Sequence, residues 1–274
     1  MPENQNASSI KVPPLGVRGL IPNFFTLLNL FFGCIAIVFA LQTESVIMYV
    51  NDEYSGSSFN IPEKLTWAAV FIGLAGIVDF LDGFVARLLR ATSDMGKQLD
   101  SLSDVVSFGV APATILYQLL RLSFAREENG LEISMGWLIP AFILSCAAAY
   151  RLAKFNIDES QSYNFTGLPT PAVGLLIASF PLILHFNAAT FGMGSILINK
   201  WLLYGLILLL SYLMISNIPF MGLKFKDYTI KNNLPKLILI AIAIISAVFL
   251  QWIAVPVIFI TYFILSLVNK NQLK

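Results

Sequence analysis

The sequence predicts an all-α, polytopic membrane helix bundle of about eight transmembrane helices, with both termini cytoplasmic. Three observations carry this expectation. Of 274 residues, 57% are hydrophobic and 12% charged, whereas soluble domains carry about a quarter charged residues. Apolar runs recur from Leu20 to the C-terminus with no polar stretch long enough to fold by itself. Lysine and arginine also divide unevenly between alternate connecting segments.

A bilayer core takes about 20 mainly apolar residues per helix. Runs of that kind fall at 20–42, 66–91, 98–121, 134–155, 170–187, 197–217, 234–250 and 252–269. The residues before the first run are polar and lack the basic-then-apolar-then-small order of a cleaved leader. Residues 1–18 therefore read as a cytoplasmic tail and residues 19–274 as one membrane domain. Pro22, Pro140, Pro181, Pro219, Pro235 and Pro256 lie near proposed helix ends or inside spans, where neighbouring groups satisfy the freed carbonyls. Only Gln251 separates the last two runs, which leaves open a hairpin or one long tilted helix. Cys34 and Cys146 lie in apolar runs without a ligand-spaced partner and read as packing residues. His185, the single histidine, closes an apolar run and reads as interfacial.

Basic residues near helix ends stay on the cytoplasmic side. With the N-terminus inside, 13 of the 17 lysines and arginines fall on that side, and only Lys64, Arg121, Arg126 and Lys200 fall outside. The first outside loop is acidic, with Glu44, Asp52, Glu53 and Glu63.

Against this background five aspartates stand out: Asp79, Asp82, Asp94, Asp100 and Asp104. A charge at membrane depth costs about 2.5 to 3.5 kcal/mol even on lenient scales. Asp79 and Asp82 are three apart and Asp100 and Asp104 four apart, so each pair shares one helix face. The segment Ala91 to Met95 is turn-sized and would bring the two helices back antiparallel. The four carboxylates would then converge into an oxygen-rich cup suited to Mg2+ or Mn2+. Two such ions can clamp the attacking and leaving oxygens of a phosphoryl displacement. The plain alternative is a set of interfacial aspartates paired with Arg87, Arg90 and Lys97. Gly83, Ala86 and Gly96 add small side chains beside the aspartates, and Arg87 can grip a phosphate through two parallel hydrogen bonds.

The pattern Asp79-x2-Asp82-Gly83-x2-Ala86-Arg87-x8-Gly96-x3-Asp100-x3-Asp104 resembles the signature of the CDP-alcohol phosphatidyltransferase family at every fixed position. The stretch from Ile21 to Leu30 with Gly33, Arg151 to Asn156, and Gly167 to Ala172 resemble the phosphatidylserine synthase branch, with Lys154 where an arginine is expected. The resemblance implies that Asp79 and Asp100 bridge two metal ions, that Asp82 completes one site, and that Asp104 ligates the other ion and acts as general base. It implies that Gly83, Ala86, Arg87 and Ser93, with the first-helix patch Asn23 and Thr26, contact the CDP-lipid. It also implies a homodimer, and the lysine and arginine distribution sets the site at the cytoplasmic face of the cell inner membrane or plasma membrane.

The expected reaction moves a phosphatidyl group from CDP-diacylglycerol to L-serine, giving phosphatidylserine and CMP. The serine hydroxyl needs a base as it attacks phosphorus, and Asp104 is the candidate. The serine carboxylate needs paired donors; Arg151, Asn156 and Lys154 are the candidates, although Arg151 and Lys154 also read as topology anchors. A sister enzyme using glycerol 3-phosphate or inositol phosphate would need a further basic cluster, which is not evident. A cation transporter would need polar groups in the outer halves of the spans, and few are present. No nucleic-acid partner is expected.

Overall fold

Apolar periodicity becomes helix almost throughout the computed structural model, which describes residues 17–42, 63–89, 93–127, 133–157, 165–222 and 230–269. Helix α1 covers Val17–Leu41, α2 Glu63–Leu88, α3 Asp94–Ala125 and α4 Met135–Ile157. Then follow α5 (Thr170–Phe186), a short α6 (Thr190–Leu197), α7 (Lys200–Ile215), α8 (Ile230–Leu250) and α9 (Ala254–Val268). Two-residue strands β1 (Phe165–Thr166) and β2 (Pro219–Phe220) pair antiparallel, Phe165 opposite Phe220. Most of the tail 1–18, the acidic loop 43–62, Arg90, Ala91 and Thr92 of the expected turn, and Lys224, Lys226, Lys270 and Lys274 lie outside the described residues.

Length and composition together identify five stretches among the described residues that can cross a membrane: 21–41, 63–88, 94–125, 135–157 and 233–268. A sixth arises if α6 and α7, bent by 82° at their junction, form one span. This is fewer than the eight expected, for two reasons. Helix α5 has 17 residues, which rise about 25 Å against a hydrocarbon core of about 30 Å. The last two runs also form one continuous helical stretch by length. Within it, however, Gln251 takes φ +50°, a conformation that breaks a helix, and α8 and α9 pack against each other. Asn187, after α5, donates from Nδ2 to Gln251 Oε1 at 3.2 Å, while the other end of α9 reaches Met221 through Ser266. Helix α9 thus runs the length of α5 in the opposite sense.

Helix α5 is apolar on all sides and mostly buried, as expected of a helix surrounded by others. It lies beside the centre of α3, where Val105–Val110 forms a π turn. Three small residues let neighbours close on that turn. A Cβ at Gly33 would fall 2.3 Å from Ser107 Oγ and 2.9 Å from its Cα; one at Gly174 would fall 2.9 Å from Phe108 Cβ; one at Gly109 would fall 3.0 Å from Ala148 Cβ. Close backbone approach of this kind is how apolar helices associate in lipid.

Cys34 and Cys146, expected to pack inside, lie on the outer surface of the bundle. The end away from the aspartates carries Trp137, Trp201 and Tyr204, with the Tyr204 hydroxyl donating to the Trp137 carbonyl and Lys200 ion-paired to Glu127. Aromatic and basic side chains of this type favour a membrane–water interface.

Candidate active site

The expected carboxylate cup forms at the junction of α2 and α3. One oxygen from each of Asp79, Asp100 and Asp104 lies within 4.8 Å of the other two. Asp100 and Asp104 sit one turn apart on the half of α3 before the π turn, and Asp79 faces them from α2. Ser93 caps this helix, its Oγ accepting from Gly96 N at 3.0 Å. Asp82 is not part of the three-way convergence. It is buried and accepts a hydrogen bond from the Thr26 hydroxyl of α1.

Helix α1 supplies a polar seam against α3. Thr26 and Asn29 are three apart and Gly33 follows after one more turn, so all three share a face. Asn29 Nδ2 donates to Asp104 Oδ1 at 3.2 Å. Ser103 donates to the Thr26 carbonyl and Ser107 to the Asn29 carbonyl, each at 3.0 Å. These bonds hold the carboxylate-bearing face of α3 in one rotational setting against α1. Asn29 is fully buried, and its Oδ1 has no partner.

That donor set fits a hard cation. Three carboxylates this close repel one another strongly where water is scarce, and they offer only oxygen, the ligand atom that Mg2+ and Mn2+ prefer. The buried guanidinium of Arg151 does not neutralise them by direct pairing, because its Nη1 donates to Thr170 Oγ1 at 3.1 Å.

The residues expected at the CDP-lipid form a looser group around the start of α3. Gly96 sits against Ser93 and Asn23: an added Cβ would lie 3.1 Å from Ser93 Oγ and 3.3 Å from Asn23 Oδ1. A Cβ at Gly83 would meet nothing within 4 Å, which leaves room for a ligand beside Asp82. Ala86 is half-buried. Arg87 is exposed and its Nε donates to Gly83 O at 2.8 Å, so the guanidinium folds along its own helix.

The three expected acceptor residues of α4 diverge. Arg151 is 8% exposed, lies within electrostatic reach of Asp104, and has an Nε without a partner. Asn156 donates from Nδ2 to Ser101 Oγ at 2.8 Å, and its Oδ1 is unpartnered; its backbone carbonyl accepts from Lys97 Nζ at 3.3 Å. Lys154 instead donates to Asn217 Oδ1 beyond α7, beside a pocket lined by Tyr212, Ser216 and Ile218. Sequence reasoning passed over Asn29 and Thr170. Asn29 was detectable, one turn past Thr26 on the same face, whereas nothing local links Thr170 to Arg151.

A bundle of membrane-spanning helices that gathers carboxylates, amides and a buried arginine at one end defines a polytopic membrane protein with an oxygen-rich centre. The chain belongs to the CDP-alcohol phosphatidyltransferase family, whose pattern matches residues 19–216. It is similar to the CDP-diacylglycerol–serine O-phosphatidyltransferase of Helicobacter pylori (strain J99), with 34% identity over 240 residues, 87% of this chain and 85% of the relative. The protein of the same name from Methanocaldococcus jannaschii is 41% identical over 149 residues, covering 54% and 61% of the two chains. The archaetidylserine synthase of Methanothermobacter thermautotrophicus is 36% identical over 138 residues, covering 50% and 55%.

Proposed function

We propose that this chain transfers the phosphatidyl group of CDP-diacylglycerol to L-serine, giving phosphatidylserine and CMP. The observation that carries the reading is the convergence of Asp79, Asp100 and Asp104 in a chain similar to a serine-transferring relative over most of both lengths.

Asp79, Asp82, Asp100 and Asp104 would hold two divalent ions, Mg2+ or Mn2+. Bound there, the ions supply charge neutralisation for the phosphate being transferred and the one leaving. Asp104 takes the proton from the serine hydroxyl as that oxygen bonds to the phosphorus esterified to diacylglycerol, and the bond from that phosphorus to CMP breaks. The Asn29 amide keeps Asp104 oriented for this step. Direct attack leaves positioning and electrostatics as the protein's main contributions.

Asn23, Thr26, Gly83, Ala86, Arg87 and Ser93 form the CDP-lipid surface, with Arg87 swinging from Gly83 O to the diphosphate. Arg151 offers its free Nε–H to the serine carboxylate, and Asn156 offers Oδ1 to the ammonium. Lys154 takes a peripheral part. Eight traverses, counting α5 and both arms of the final pair, bring both termini to one side, read as cytoplasmic from the lysine and arginine distribution, with residues 19–274 as one domain. On this reading the site faces the cytoplasm from the inner or plasma membrane, and the protein acts as a homodimer, as its resemblance to the family implies.

CMP release from CDP-diacylglycerol by purified protein, assayed separately with serine, glycerol 3-phosphate and inositol phosphate, tests the reading. Serine alone should support turnover. Release with glycerol 3-phosphate and none with serine would overturn the acceptor assignment.

A further inference from the structure

Helix α9 lies beyond the family's matched range of 19–216 and supplies nothing to the carboxylate cup, yet it carries buried polar side chains. We propose that Tyr262 and Ser266 are positioning residues for the acceptor: by clamping Met221 they hold the β1–β2 clip, which sets Thr170 against Arg151. The inference rests on the assignment of Arg151 to the acceptor made above.

Both backbone polar groups of Met221 are satisfied by α9. The Tyr262 hydroxyl donates to Met221 O at 3.1 Å, and Ser266 Oγ accepts from Met221 N at 3.2 Å. All three residues are buried, Ser266 completely, so an opened bond would leave a backbone group without water to replace its partner. Phe220, also fully buried, stacks on Tyr262 with ring centres 6.1 Å apart.

From Phe220 the connection to Arg151 is short and stiff. Ile218 O accepts from Gly167 N at 2.9 Å and Leu213 O from Leu168 N at 3.0 Å. Gly167 holds φ +80°, and a Cβ there would lie 2.4 Å from Met214 O, so this loop is seated directly on the end of α7. Pro169, at φ −61°, caps α5 and leads straight to Thr170, whose Oγ1 accepts from Arg151. With Nη1 committed to Thr170, the guanidinium keeps one orientation and its free Nε faces a fixed direction. Tyr262 itself lies within electrostatic reach of Arg151. A C-terminal helix thus reaches the acceptor subsite through one clamped backbone residue.

The test compares full-length wild type, Tyr262→Phe, Ser266→Ala and, as a control, Ile264→Ala, which alters the exposed side of the same helix. Hydrogen–deuterium exchange should be about tenfold faster at the Gly167 and Leu168 amides in Tyr262→Phe and Ser266→Ala, and unchanged in the control. The serine KM should rise about threefold to tenfold in those two variants, with kcat and the CDP-diacylglycerol KM unchanged. Unaltered exchange at these amides overturns the clamp. Equal rises in both KM values overturn the acceptor role while leaving the proposed function intact. A wild type that transfers to no serine sinks the functional reading instead, and the exchange arm still decides the clamp.

Discussion

Asn29 and Asp104 meet across the seam between the first and third helices, the amide Nδ2 of one lying 3.2 Å from the carboxylate Oδ1 of the other. Both are buried, so the bond is shielded from water and is the contact on Asp104 most open to a clean experiment. A hydrogen bond to a charged group is worth about 1.5 to 3 kcal/mol. Asn29→Leu should therefore lower kcat for CMP release by about tenfold to a hundredfold. Both KM values should stay close to wild type, because in the proposed mechanism the step at risk is proton removal and not substrate capture. An unchanged kcat would show that Asp104 needs no such partner.

Removing divalent metal should stop turnover. Treatment with EDTA is expected to abolish CMP release, and added Mg2+ or Mn2+ to restore it. Asp79→Asn, Asp100→Asn and Asp104→Asn should each stay inactive at saturating metal. Thr26→Val removes the hydroxyl that reaches Asp82 and, within its own helix, Pro22 O, and should raise the metal concentration for half-maximal rate about tenfold. A metal titration of CMP release reads both effects.

Arg151→Met keeps an unbranched apolar stem and removes the donors. The serine KM should rise by about tenfold to a hundredfold, since a carboxylate would lose a charged partner. The CDP-diacylglycerol KM should change by less than about twofold. Initial rates over a grid of both substrates give the comparison, and equal changes would mean that Arg151 serves only to anchor α4.

Gly33→Val should destabilise the bundle. Its first carbon would overlap Ser107 at 2.3 Å from Oγ and 2.9 Å from Cα, and the second of these is backbone that cannot swing away. Overpacking of this kind costs about 1 to 3 kcal/mol. The variant should unfold several degrees below wild type in a thermal melt in detergent, whereas Gly73→Ala, where an added carbon meets nothing, should not.

Much of this architecture was legible in the residues because lipid makes hydropathy decisive. The apolar runs become helices with ends displaced by only a few residues, as at 66–91 against Glu63–Leu88. The cup was legible for a related reason. Spacings of three and four place Asp79 with Asp82 and Asp100 with Asp104, and a short connection leaves antiparallel return as the simple outcome. What the pattern did not reveal depends on contacts between elements distant in sequence. Asp82 pairs with Thr26 across 56 positions, which separates it from its three companions. Arg151 finds Thr170, and Asn156 finds Ser101, because α4 packs on both α3 and the start of α5. Helix α6 and the two-residue clip are too short for any periodic signal.

The π turn at Val105–Val110 has a consequence for how far this chain can drift. A π turn carries its hydrogen bonds one residue further than an α-helix, and each residue of an α-helix turns the chain by about 100°. Loss of a single residue from that turn would let it relax to ordinary helix with both halves of α3 keeping their rotational setting, whereas the same loss from the plain helix after it would turn the two halves by about 100° relative to each other. The spacing between Asp104 and Ala111 therefore holds the one residue of slack in α3, while the tight contacts at Ser107, Phe108 and Gly109 restrict which side chains can stand there.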